Sequence, residues 1–168
     1  MKQISPELFV ADERIVKVDR AVIETLKAQA ARNPRGRARL CAHKDVNDRL
    51  HEMLIVMARD IYIRPHKHLG KSEAFHVIEG AADIVFYDDS GAIEDVFTVD
   101  ARGVFYFRND EPRYHTQIIK SEFLVVHEIT NGPFNSADTV FAPWAPEETD
   151  RAAVMAYWKK LKRDVARR

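Results

Sequence analysis

The stretch Tyr62-Ile-Arg-Pro-His-Lys-His-Leu-Gly-Lys-Ser-Glu-Ala-Phe-His-Val-Ile-Glu-Gly80 decides how the rest of the chain reads. One residue separates His66 from His68, and residues i and i+2 of an extended segment share a face, so both imidazoles point one way and Lys67 the other. Leu69-Gly70 marks a turn, and Glu73 then opens an alternating apolar run, Ala74 to Ile78, that reads as a neighbouring strand. From that strand the Glu73 carboxylate can close on the point at which the two imidazoles aim. Two or three imidazoles with one carboxylate and open positions suit iron, zinc, manganese or nickel, so one divalent transition metal ion is the expected cofactor. His76 has the opposite parity to Glu73 and is expected to face away.

Outward from this stretch the chain is punctuated at hairpin spacing. Met53 to Ala58 reads as a buried apolar strand, Asp88-Asp-Ser-Gly91 as a hairpin turn with Ile93 to Val99 returning, and Phe123 to Ile129 as a further strand. With Gly103 to Phe107 and Thr116 to Ile119, about eight to ten short strands result, the pattern of a barrel or jelly roll. His51-Glu52 does not continue into the H-E-x-x-H zinc-protease motif, because Ile55 stands where the second histidine belongs. Residues 7 to 18 hold two short β-type runs around Asp12-Glu-Arg14, expected to form an opening hairpin or edge strand, with the capacity to pair across a dimer. Asp19 is placed as the N-cap of a helix over Ala21 to Arg32, and Thr149 or Asp150 as the cap of a last helix with Val154, Trp158, Leu161 and Val165 on one face. Between them, Phe141-Ala-Pro-Trp-Ala-Pro146 must run extended, since each residue before proline is pushed out of helical space.

Composition bounds the partners. Lys plus Arg (26) balances Asp plus Glu (26), leaving no charge footprint for nucleic acid or an anionic membrane, and a small polar or anionic molecule fits better. The single Cys41 excludes an internal disulfide, and the amino-terminal residues have no apolar run of signal-peptide type; a cytoplasmic protein is the expectation. Arginines at 35, 37 and 39 alternate and read first as a solvated strand edge, with attraction of a phosphate or carboxylate as the other reading.

The spacing H-x-H-x4-E-x6-G, here His66, His68, Glu73 and Gly80, resembles the first metal-binding motif of the cupin superfamily. Asp60 stands where that motif usually has glycine. Of the second cupin motif the histidine is retained as His115, with Pro112 in place of a glycine and Ile119 in place of the asparagine. A narrower resemblance runs through Ala42-His43, His51-Glu-Met53, the 62–68 stretch, Gly132-Pro-Phe134 and Phe141-Ala-Pro-Trp-Ala-Pro-Glu-Glu148, and is to the WbuC-type cupin-fold metalloproteins. It implies an all-β, single-domain cupin (a double-stranded β-helix or jelly-roll barrel) with an N-terminal and a C-terminal helix. The expected segments are residues 1–40 packing on the barrel, 41–134 as the barrel, and 135–168 as the extended segment and last helix. It also implies a metal held by His66, His68, Glu73 and His115, with His127 as the other choice for the fourth ligand, and a homodimer in a surface-polysaccharide setting.

For substrate the candidates are Arg64 and Tyr62, which alternate in phase with His66 and His68, then Gln117, which shares the parity of His115, then Tyr106, Arg108 and His43. Three functions compete: a metal-dependent isomerase, epimerase or lyase acting on a sugar or sugar-nucleotide derivative; an Fe(II)-dependent dioxygenase of a small polar substrate; and a non-catalytic metal- or sugar-binding module.

Overall fold

Alternating apolar residues sort the chain into two facing sheets. In the computed structural model, which describes residues 1–168, the elements are β1 (Lys2–Ser5), β2 (Leu8–Val10), α1 (Arg20–Arg32), β3 (Arg37–Cys41), β4 (Leu50–Ala58), β5 (His66–His68), β6 (Glu73–Glu79), β7 (Ala81–Tyr87), β8 (Ile93–Asp100), β9 (Tyr106–Asn109), β10 (Tyr114–Ile119), β11 (Phe123–Asn131), β12 (Thr139–Phe141) and α2 (Arg151–Val165). One sheet has seven strands in the order β1-β2-β3-β4-β11-β6-β9, and the other five in the order β12-β5-β10-β7-β8. All pairings are antiparallel except β2 with β3, and chain neighbours such as β5 and β6 lie in opposite sheets, which is jelly-roll wiring.

Each sheet buries its inner face and part of its outer one. Between the sheets, Met57, Phe75, Val77, Ile84, Phe86, Leu124 and Val126 form one core. Residues of the opposite parity point outward and meet a helix. Leu40, Leu54, Val56 and Val125 pack under Ile23, Leu26 and Ala30 of α1. Val85, Tyr87, Tyr114 and Ile118 are covered by Ala142 and Ala145 of the proline-punctuated strap and by Trp158 and Leu161 of α2. Both helices begin as their caps dictate: the Asp19 carboxylate accepts from Val22 N–H, and that of Asp150 from Ala153 N–H. No helix is long and apolar enough to cross a membrane.

Two local features place the site. Gly80 turns the chain from β6 into β7 at φ 86°, and a Cβ there would run into the Phe123 carbonyl oxygen and the Ser121 hydroxyl, so only glycine fits. The opening hairpin is made by β1 and β2, earlier than the sequence suggests. Ile15 to Val18 is not a strand, because the chain must leave the sheet edge after Val10 to reach the cap of α1. Val16 and Val18 instead pack against the α1 core, which accounts for their apolar character.

Candidate metal centre

The site is built where β5, β6 and β10 face the space between the sheets. In β5 the parity rule acts directly: His66 and His68 turn inward, while Lys67 leaves for the Asp89 carboxylate at 2.8 Å and the Tyr114 ring. β10 lies beside β5 with His115 opposite His66, and this single pair sets the third imidazole against the first two. The ring nitrogens of His66, His68 and His115 that are able to ligate lie within 4.8 Å of one another. Glu73 arrives from the facing sheet, its carboxylate 3.0 Å from His68 Nε2 and 3.3 Å from His115 Nε2.

Hydrogen bonds at the far side of each ring decide which nitrogen is offered. His66 Nδ1–H donates to the Arg64 carbonyl at 2.8 Å and His115 Nδ1–H to the Arg113 carbonyl at 3.0 Å, while His68 Nδ1 meets the Thr139 hydroxyl at 3.1 Å. All three Nε2 atoms are thereby turned to the common point, the arrangement that fixes imidazole orientation and basicity in metal sites. Burial, aided by the neighbouring His115, pushes the His66 imidazole down to about 3, so its Nε2 lone pair is free at any ordinary pH. Burial alone would push Glu73 up, but hydrogen bonds from His115 and His68 outweigh it and hold the carboxylate far below its usual range. Burial likewise opposes charge on His115, and the bond to Glu73 overrides it, so the imidazole is raised. Glu73 and His115 thus each favour the charged form of the other, at the point on which the rings converge. Three imidazole nitrogens and one anionic carboxylate converging on one buried point fit a transition metal in number, type and orientation.

This cluster lines one wall of a cavity of 420 Å3, within the roughly 300–1,000 Å3 range of small-molecule sites. Strand register gives the cavity layers. Across the seven-stranded sheet, His51, Thr130 and Glu73 are in register and form the layer of the metal ligands; Met53, Glu128 and Phe75 form the next layer in. On the facing sheet Gln117 follows His115 by two residues and lies in that same second layer. Met53, Ile55, Met57 and Ile63 complete apolar walls. The mouth opens beside β3, where Arg37 is tied to Glu7 at 3.2 Å and Arg39 lies exposed on the rim. Arg35 is spent on Glu7 and Glu148, so the arginine cluster is mainly an ion-paired edge.

Several side chains expected at the substrate are elsewhere. Residues 61–65 form no strand, and the alternation slips by one between Ile63 and His66, so Ile63 faces the cavity. Tyr62 and Arg64 consequently point to the strap: the Tyr62 hydroxyl donates to the Pro146 carbonyl at 2.9 Å, and Arg64 donates to the Ala142 carbonyl and stacks over the Phe141 ring. Tyr106 is opposite His76 and Arg108 opposite Ala74, on the outer face; it is Phe107 between them that turns inward and stacks on Phe75. His127 also faces outward, 3.7 Å from Glu52, which leaves His115 as the third imidazole. His76 is exposed against Phe105. Gln117 and His43 do line the cavity, His43 with its ring stacked 4.0 Å from that of His51.

Glu128 was not singled out in the sequence, although the signal is there: it continues the inward parity of Leu124 and Val126, a carboxyl in a row of core positions. Burial, with the Glu73 charge added, pushes it up to about 8, so it is a carboxylic acid at neutral pH.

Residues 18–99, just under half of the chain, match the model of a family described as a domain of unknown function, DUF6016. No curated protein sequence matches. Among solved structures, CapF, the capsular polysaccharide assembling protein from Staphylococcus aureus, is 19% identical with a TM-score of 0.54 over 65% of this chain and 32% of its own. The chain thus spans about a third of the CapF structures it matches, including CapF with the inhibitor 3-isopropenyl-tropolone, which has a TM-score of 0.56 at 20% identity. L-ribose isomerase from Cellulomonas parahominis is 14% identical with a TM-score of 0.52, over 65% of this chain and 70% of its own. These are cupin-fold proteins, and the architecture of this chain is accordingly that of a single cupin barrel flanked by two helices.

Proposed function

We propose that the chain binds one divalent transition metal ion through His66, His68, Glu73 and His115, and acts as a metal-dependent isomerase or epimerase on a small sugar derivative. The observation that carries this reading is the convergence of three oriented Nε2 atoms and a buried carboxylate on the wall of a closed-ended cavity. A metal there supplies Lewis acidity toward a carbonyl or hydroxyl oxygen. The chain's own groups do the rest: apolar walls exclude water, and the carboxyl of Glu128 and the amide of Gln117 meet the substrate from the second layer. The finer setting in surface-polysaccharide metabolism is supported by the resemblance of the Ala142-to-Glu148 tail to WbuC-type proteins, a cytoplasmic location by the single Cys41, and a homodimer by the amino-terminal edge strand. The same donor set suits Fe(II), so an oxygen-dependent oxidation is the second reading.

Elemental analysis of protein purified without an affinity tag tests the centre. Near-stoichiometric metal is expected in the wild type and in His76→Ala, with at least a tenfold loss in His68→Ala and Glu73→Ala; equal loading in all four sinks the assignment. Exchange of carbon-bound hydrogen in deuterated water, without oxygen uptake, is then expected on candidate sugars. Substrate-dependent oxygen uptake by the iron-loaded protein would instead favour oxidation.

A further inference from the structure

The second cavity layer holds polar groups that the protein leaves without partners. Gln117 is 7% exposed, and its side-chain oxygen is buried with no hydrogen-bond partner; the buried Thr130 hydroxyl likewise has none. The Glu128 carboxyl is shifted by burial and by distant charge, and no hydrogen bond contributes. Buried polar atoms are nearly always satisfied, and each orphan costs about 1–3 kcal/mol. Two such orphans in one cavity, with the Glu128 carboxyl beside them, mark a place where a ligand supplies the partners.

Their placement fixes what that ligand looks like. Gln117 and Glu128 are each one side-chain layer, about 7 Å along the strand, from the layer of the ligating histidines and Glu73, and they approach from opposite sheets. Thr130 stands in the metal-ligand layer itself, in register with Glu73, at the near end of that path. An amide, a hydroxyl and a carboxyl all donate and accept, which matches hydroxyl groups rather than a fixed anion. Arg39 lines the same cavity from β3, exposed, and its charge bears on Glu128 without a hydrogen bond to it.

Resting on the metal-centre reading above, we propose that Gln117, Glu128 and Thr130 form a hydroxyl-binding floor that selects a polyol chain long enough to reach from the metal to the second layer. The site then discriminates by length and by hydroxyls remote from the reacting carbon. A two-carbon diol meets the metal alone; a pentose or pentitol also meets the floor.

The experiment uses zinc-loaded full-length protein and saturation-transfer NMR, with L-ribose, D-ribose, ribitol and 1,2-propanediol as probes. The pentose and pentitol probes are expected to bind at least tenfold more tightly than propanediol. Glu128→Gln and Gln117→Leu should abolish most of that difference while leaving propanediol binding and zinc content at wild-type levels; Thr130→Val serves as the variant least able to disturb folding. Pentose and pentitol probes binding no better than propanediol, or binding equally to wild type and all three variants, would overturn the floor and leave the metal centre standing. A wild-type protein that fails to take up zinc, manganese, nickel or iron takes down the underlying reading as well.

Discussion

Glu73 and Glu128 are on neighbouring strands, one side-chain layer apart, and their surroundings drive them in opposite directions. Glu73 is held ionised by two imidazoles, whereas at Glu128 burial and the like charge of Glu73 outweigh the opposing charge of Arg39. The unfolded Glu128 ionises near 4.5 and the folded one near 8. Between those values unfolding releases a proton, so stability falls as pH rises and the penalty is complete above about pH 8. Glu128→Gln removes the penalty: metal-free variant and wild type should differ little at pH 4.5, with the variant gaining up to about 4–5 kcal/mol by pH 8.5 in urea denaturation. The other titrating groups are common to both proteins, so the difference isolates this carboxyl. At this scale the sequence speaks clearly where a strand is regular: His66, His68, His76 and Glu73 face as parity requires. It misleads at Tyr62 and Arg64, because the phase slip before His66 arises from tertiary bonds, the Thr116 hydroxyl to the Ile63 carbonyl and Ala142 N–H to the Pro65 carbonyl, that no local pattern encodes.

Among the elements, the two helices are the most legible, since cap and apolar stripe coincide in each and Asn33-Pro34 stops the first. Their burial decides what they contribute. Leu26 is fully buried between α1 and the outer face of the seven-stranded sheet, while Met155 of α2 is 73% exposed. Leu26→Ala should cost about 2–5 kcal/mol in denaturant unfolding, by lost transfer energy and a cavity; Met155→Ala should stay within about 0.5 kcal/mol. Neither should change metal stoichiometry. The least legible elements are the shortest. β12 has only Thr139–Phe141 and follows a proline turn, yet it pairs residue for residue with His68, Lys67 and His66. Three residues carry too little periodicity to announce a strand, and its existence depends on a partner 70 residues away in the chain.

For the whole molecule, the three apolar clusters are complete without the ligating histidines or Glu73. The barrel is therefore expected to hold its fold when metal is stripped. Chelation of loaded protein should leave the far-UV circular dichroism unchanged while lowering the melting temperature, and free metal at 100 times its dissociation constant should restore about 2.7 kcal/mol. Loss of the β spectrum on chelation would place the metal among the folding determinants instead.

The pairing of β12 over β5 has a kinetic corollary. His66 and His68 are covered on their outer edge by this three-residue strand, through rungs Phe141 to His66 and Thr139 to His68. Fraying of that strand would free β5 to swing His66 and His68 off their shared point. Short terminal strands fray far more often than a core unfolds. Loss of the ion would thus be quickened by the breathing of one small edge strand while the barrel beneath it stays folded.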